Sequence, residues 1–180
     1  MNPLTRARLR RRIEAARPRL YRLAYSWTHD PHFADDLVQD TFERALSRLA
    51  KLRDEDRLEV WLMRIMHNRH LDLIRARREM DPLEDDLVPG GSSPEADAEH
   101  AQLVRHTRAA VAQLPDDQRH VLLLVDLEEC SYAEAATILG IPIGTVMSRL
   151  SRARARLRGI LDAAGAVRPP SNVIPLEKKR

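Results

Sequence analysis

Apolar positions along the chain recur at steps of three and four, the spacing that gathers them on one face of an α-helix. Leu20, Leu23, Ala24 and Trp27 mark one such face, with Pro18 near its start. Leu37, Val38, Phe42, Ala45, Leu46 and Leu49 mark a second, entered after Asp30-Pro31. Leu58, Trp61, Leu62, Ile65, Met66, Leu71 and Ile74 mark a third, set off from the second by the polar loop KLRDEDR. Leu103, Thr107, Ala110, Val111 and Leu114 form a stripe that stops at Pro115. Asp116 is then placed to cap a helix through Val121, Leu122, Leu124 and Val125, and Asp35-Asp36 is likewise expected at a helix start. No stretch shows the apolar–polar alternation of strands, so the pattern predicts an all-α fold.

The strongest local signal is CSYAEAATILGIPIGTVMSRLSRARARLR. Ser131 followed three residues later by Glu134 is a capping box, so a helix starts there. Tyr132, Ala135, Ala136 and Leu139 are expected to form its inner face. Gly140 suits a left-handed helix stop, and Pro142 ends one helix while opening the next. Val146, Leu150, Ala153 and Leu157 then mark the buried stripe of a second helix. Two short helices around a tight glycine turn predict a helix-turn-helix. Between Met147 and Arg158 the second helix carries five arginines and no acid. A membrane-surface helix would expose a broad apolar face, and a merely solvated face would mix both signs of charge. Purely basic outer positions favour DNA, with arginines on phosphates and the helix N-terminus facing base edges.

Between the helical stretches, Glu79–Glu99 holds eight acids, three prolines and neither Lys nor Arg, with no helical or strand period. It predicts a linker over 79–97 between helical domains at 5–78 and 98–163, with a disordered tail over 164–180. Each domain is near the lower size limit for independent folding.

Composition narrows the function classes. Of 180 residues, 43% are hydrophobic, enough for packed cores, and only six are glycine, which fits helix. The net charge of +3 is modest, but its segregation into an acidic linker and a basic helix points to a polyanionic partner. A single cysteine, Cys130, excludes an internal disulfide and reads as a half-buried small side chain. No apolar run approaches the ~20 residues of a membrane span. The arginines at 6, 8, 10, 11 and 12 continue into a periodic apolar pattern, so they are read as mature helix and not as a transit peptide. The pairs His67/His70 and His29/His32 lack further ligands, so no metal is expected. No phosphate loop or catalytic constellation stands out, and neither enzymatic activity nor a cofactor is expected.

The segments DDLVQDTFERAL (Asp35–Leu46) and VWLMRIMHNRHLDLIRARRE (Val60–Glu79), followed by the linker and the helix-turn-helix block, closely resemble a bacterial RNA polymerase sigma factor of the extracytoplasmic-function (ECF) type. The likeness spans roughly residues 10–160. It implies two domains, sigma-2 and sigma-4, that bind core RNA polymerase and read the −10 and −35 promoter elements. By that resemblance Asp35, Asp36, Leu37, Val38, Gln39 and Asp40 dock on the polymerase clamp, the polar residues forming a rim around Leu37 and Val38. RIMHN matches the family's Arg-Ile-x-x-Asn, whose asparagine holds a base flipped from the −10 strand. The −10 site then comprises Asn68, with Ile65 and Leu52 lining the pocket, a loop from Arg53 to Leu58 over it, and Arg64, Arg69 and Arg75 along the strand. The −35 site comprises Thr145, Met147, Ser148, Arg149, Arg152 and Arg156. Met147 departs from the family, which often has Lys or Arg there; a thioether can touch a thymine methyl but makes no bidentate guanine contact. The resemblance further implies an anti-sigma partner, a role in stress response, and residence in the cytoplasm, on the nucleoid when bound to polymerase.

Two other readings compete. A stand-alone DNA-binding regulator would use the helix-turn-helix alone and leave DDLVQDTF and RIMHN without purpose. A sigma-like module that only titrates an anti-sigma factor would not need arginines in both DNA-facing segments.

Overall fold

The structure, a computed structural model, describes residues 2–80 and 98–164. The linker and tail predicted from the sequence lie, but for their terminal residues, outside that range. Among the described residues all regular structure is helical, as expected. The first unit contains α1 (Pro3–Ala15), α2 (Arg17–Thr28), α3 (Pro31–Ser47), a 3-10 turn (Leu49–Lys51) and α4 (Leu58–Met80). The second contains α5 (Ala98–Ala112), α6 (Asp116–Leu122), a π-type turn (Leu123–Leu127), α7 (Tyr132–Leu139) and α8 (Ile143–Ala163).

Local chemistry sets the helix ends. Asn2 caps α1 by accepting from the Leu4 N–H at 2.9 Å. Asp30, not Asp35 or Asp36, caps α3: its Oδ1 accepts from His32 N at 2.8 Å and Phe33 N at 3.1 Å. Pro31 occupies the first helical position, where its missing N–H costs nothing. Asp35 and Asp36 therefore lie in the second turn, which corrects their expected place at the helix start. Asp116 likewise sits inside the first turn of α6, after Pro115, and its carboxylate pairs with Arg119 at 2.5 Å instead of capping.

Core packing follows the periodic stripes. α3 packs between α2 and α4, and α8 packs across α6, α7 and α5. The other side of α4 meets α7, so the two units share one continuous core. Leu23, Leu37, Val38, Leu62 and Met66 in the first unit are essentially inaccessible, as are Val121, Leu124, Ile138 and Val146 in the second. Ile138 and Ala135 form the buried face of α7, while Tyr132, expected inside, is exposed.

Candidate nucleic-acid interface

The helix-turn-helix forms as its sequence dictates. The Glu134 N–H donates to Ser131 Oγ at 3.2 Å, and the Ser131 N–H donates back to Glu134 Oε2 at 2.8 Å. These bonds, with one from the Ser131 hydroxyl at 2.7 Å, stabilise the Glu134 carboxylate and hold its pKa below the ordinary value. Gly140 ends α7 at φ +67°, the left-handed conformation that disfavours a Cβ. The Ile141 N–H then closes onto the Ala136 carbonyl at 3.1 Å, a Schellman-type stop. Pro142 begins α8, and Val146, Leu150 and Ala153 hold it against the core.

At about 100° per residue, the outer surface of α8 has two edges. Thr145, Arg149, Arg152 and Arg156 share one edge. Met147 stands about 160° from Arg149, on the other, with Arg154 and Arg158. Ser148 and Gly144 lie between the edges. The expected −35 residues are thus brought onto one helix but not onto one face. Met147, about half exposed, borders a shallow groove with Tyr132, Leu150, Ser151 and Arg154. Two arginines are already engaged: Arg149 with Asp117 at 3.2 Å and Arg154 with Asp126 at 2.5 Å. Arg152 is exposed and, among the described residues, donates to the Ser148 carbonyl at 3.3 Å; Arg156 is also exposed.

α4 is differentiated in the same way. Arg64, Asn68 and Arg75 fall within about 40° of one another and are all exposed. Leu62, Met66 and Leu73 pack into the core, while His67 and His70 lie between Trp27 of α2 and His120 of the second unit. Ile65 is buried beside the exposed stripe, and Leu52 is half-buried at the end of the 3-10 turn. Arg53 is exposed in the loop that precedes α4. An ion pair between Arg8 and Glu55 braces this loop against α1, a contact invisible to the sequence reading because the partners lie 47 residues apart. Arg69, expected along the −10 strand, is half-buried and ion-paired with Asp40 of α3.

On α3 the docking segment needs correction. Leu37 and Val38 are fully buried in the core, so they cannot form the centre of an outward contact. Asp35, Asp36 and Gln39 are exposed and Asp40 half-buried. Asp35 pairs with Arg17 at 2.8 Å, and Gln39 donates to Glu43 at 3.3 Å. The surface offered by α3 is therefore polar and acidic. Cys130 is buried, and burial pushes its thiol pKa up to about 11, which leaves little thiolate for redox chemistry. No group of three or more His, Cys, Asp or Glu among the described residues is placed to hold a metal ion, and no described helix is long and apolar enough to cross a membrane.

Comparisons with known proteins agree with this geometry. The sigma-70 region 2 family profile matches residues 12–79, and the sigma-70 region 4 profile matches residues 107–157. The ECF RNA polymerase sigma factor EcfG of Rhodopseudomonas palustris (strain TIE-1) is 37% identical over 165 residues, covering 91% of this chain and 90% of the relative. Among solved structures, the sigma factor RpoE in complex with the anti-sigma factor NepR from Bartonella quintana aligns with a TM-score of 0.74 at 30% identity, over 84% of this chain and 95% of that one. CnrH in complex with the cytosolic domain of CnrY aligns with a TM-score of 0.62 at 31% identity, over 90% of each chain.

Proposed function

This chain belongs to the sigma-70 family as a sigma factor of the ECF type, and from that premise we propose that it binds core RNA polymerase and directs it to promoters read at two sites. The observation that carries the reading is the pairing, in one chain, of a basic helix-turn-helix with the exposed Arg64–Asn68–Arg75 stripe on α4. In this proposal residues 5–78 form the polymerase-binding and −10-reading domain, and 98–163 the −35-reading domain. Residues 79–97 connect them, and 164–180 form a tail outside both.

The chemistry assigned to each part is simple. Asp35, Asp36, Gln39 and Asp40 present acid and amide groups to the polymerase. Asn68 holds a flipped −10 base over Ile65 and Leu52, while Arg64 and Arg75 follow the phosphates. Capture of the unpaired base offsets the cost of unstacking, so opening needs no hydrolysis and the chain acts without a catalytic site or cofactor of its own. Thr145, Arg149, Arg152 and Arg156 address the −35 duplex from one edge of α8, with Ser148 between that edge and the other. Met147 meets it at the opposite edge, where an apolar contact favours thymine. The complex of the structural relative RpoE with the anti-sigma factor NepR supports an anti-sigma partner that holds the chain inactive in the cytoplasm. On release it joins polymerase at the nucleoid.

Mapping transcript 5′ ends after overexpression supplies the promoter, and run-off transcription with core polymerase then tests the reading. A discrete promoter-dependent transcript is expected. Core polymerase that remains promoter-blind with the chain added would sink the proposal in favour of a stand-alone regulator. A finer expectation concerns Arg152, which is exposed and has no ion pair among the described residues. Arg152→Ala should weaken −35 binding and flatten the log–log salt dependence by up to ~1 if the side chain neutralises one phosphate. An unchanged slope in titrations between low and moderate salt would remove Arg152 from the interface.

A further inference from the structure

We propose that the contact between the two helical units is an acid-labile latch, in which protonation of His67, His70 and His120 separates the units and lets both DNA-reading helices reach one promoter. The proposal rests on the two-site reading above. Its geometry is that of a histidine cluster built across the interface. Trp27 of α2 is packed among His67 and His70 of α4 and His120 of α6, with ring centroids 5.9, 5.5 and 5.0 Å away. His120 also lies 5.4 Å from His67 and 5.3 Å from His70, so imidazoles of both units face one another directly. Phe33 of α3 closes the side next to His70 at 6.2 Å. All three histidines are at least 95% buried: their relative exposures are 5%, 3% and 4%.

These rings are poorly provided for. Among the described residues, His67 Nδ1, both nitrogens of His70, His120 Nε2 and Trp27 Nε1 have no hydrogen-bond partner. A neutral imidazole always carries one N–H donor and one acceptor, so His70 buries both unsatisfied, and a contact of this kind is weaker than its area suggests. The charged and titratable groups around the cluster offer an imidazolium no help. From α2 comes His29, at its left-handed C-cap and itself shifted down by burial and by Arg119. From α6 comes Arg119, whose guanidinium donates to the Ala112 carbonyl at 3.1 Å and to the Leu114 and Trp27 carbonyls at 3.5 Å. Its carboxylate partner Asp116 is bound to that guanidinium. The groups that act on the three rings are one another and Arg119, all cationic when charged.

Burial therefore pushes the His67 and His70 pKa values down to about 4, and that of His120 well below its ordinary value. Once the units part, the side of each ring that faces the other unit regains water, and its pKa rises toward the ~6.5 of a fully hydrated imidazole. The sign follows from linkage. The packed state excludes protons that the separated state binds, so packing is at full strength above about pH 6.5 and is lost as pH falls toward 4. Each histidine that protonates on separation multiplies the opening equilibrium by up to ~10 per pH unit below its free value. Three acting together raise it by at most roughly fifty-fold between pH 7.5 and 6.0.

Separation matters because of reach. The −10 and −35 elements stand roughly 25 base pairs apart by their positions, or about 85 Å of duplex at 3.4 Å per step. A packed chain of this size is about 40 Å across. Since α4 packs directly against α7, the Asn68 stripe and α8 cannot span both elements while the latch is closed.

The full chain tests this without DNA or polymerase; run-off transcription, in which core polymerase selects the open form at neutral pH, tests the promoter reading separately. Fluorophores placed at exposed Ser47 and Ala163, in a Cys130→Ser background, report the distance between units from pH 7.5 to 5.0. We expect separation to rise steeply below pH 6.5, and His120→Phe, which keeps the ring and removes the titration, to reduce the slope by one proton. Histidine NMR on the unlabelled chain should show three rings that resist protonation while the packed state persists. Three rings titrating freely near 6.5 in the packed chain would overturn the latch. So would units that stay together down to pH 5.0, or a His120→Phe variant that responds to acid as the parent does or is apart at every pH.

Discussion

Asn68→Ala is expected to slow promoter opening by roughly 5- to 150-fold, with core polymerase affinity unchanged. The magnitude is that of one lost side-chain amide contact to a base edge, about 1–3 kcal/mol. Asn68 stands exposed on α4 between Arg64 and Arg75 and makes no packing contact that the fold needs, so the variant's stability should stay within about 0.5 kcal/mol of the parent. Its sequence neighbours His67 and His70 point to another side of α4, so the substitution leaves the unit-to-unit contact intact. Permanganate footprinting of the unpaired thymines separates opening from closed-complex binding. Opening at the parental rate, with polymerase bound normally, would show that the amide does not hold the flipped base. Arg64→Ala and Arg75→Ala should instead weaken all complexes alike and reduce their salt dependence, since phosphate contacts carry no sequence information.

The elements of this fold were legible wherever a local rule acts alone. The Ser131–Glu134 box, the Gly140 stop and the Val146–Leu150–Ala153 stripe depend only on near neighbours, and each forms as read. Errors arose where a second element decides which side of a helix is inside. In DDLVQDTF, apolar Leu37 and Val38 could face a partner or the core, and only the positions of α2 and α4 show that the core takes both. On α7, Tyr132 was expected on the inner face, but Ile138 is buried and the tyrosine is exposed, on a helix packed against both α4 and α8. The arginines of α8 were legible as a charge but not as an arrangement, because the acids that bind Arg149 and Arg154 come from α6 and the turn after it. The histidine cluster was the least accessible feature. His67 and His70 invite a metal reading by themselves, and their meaning depends on His120, fifty residues from His70 and in the other unit.

Arg19→Met should destabilise the packed chain by about 3–5 kcal/mol, the cost typical of removing one partner from a buried ion pair. The Glu128 side chain is only 2% exposed, and Arg19, itself one-third exposed, is the cation beside it. The Arg19 guanidinium donates through Nε to Glu128 Oε2 and through Nη2 to the Glu128 carbonyl, both at 2.6 Å, and also pairs with Glu59 of α4. Glu128 Oε1 already lacks a partner, so loss of Arg19 leaves an uncompensated carboxylate in the interior. A double variant, Arg19→Met with Glu128→Leu, should recover most of the loss, because two apolar groups demand no desolvation of charge. Urea unfolding of the parent, both single variants and the pair gives the coupling directly. A loss below about 1 kcal/mol for Arg19→Met would place the contact among screened surface pairs instead. The cycle also separates adhesion from switching at this interface. Arg19 and Glu128 attract and hold the units together, whereas the histidines only tolerate one another while neutral. Removing Arg19 should therefore shift the pH midpoint of separation upward without changing the number of protons taken up.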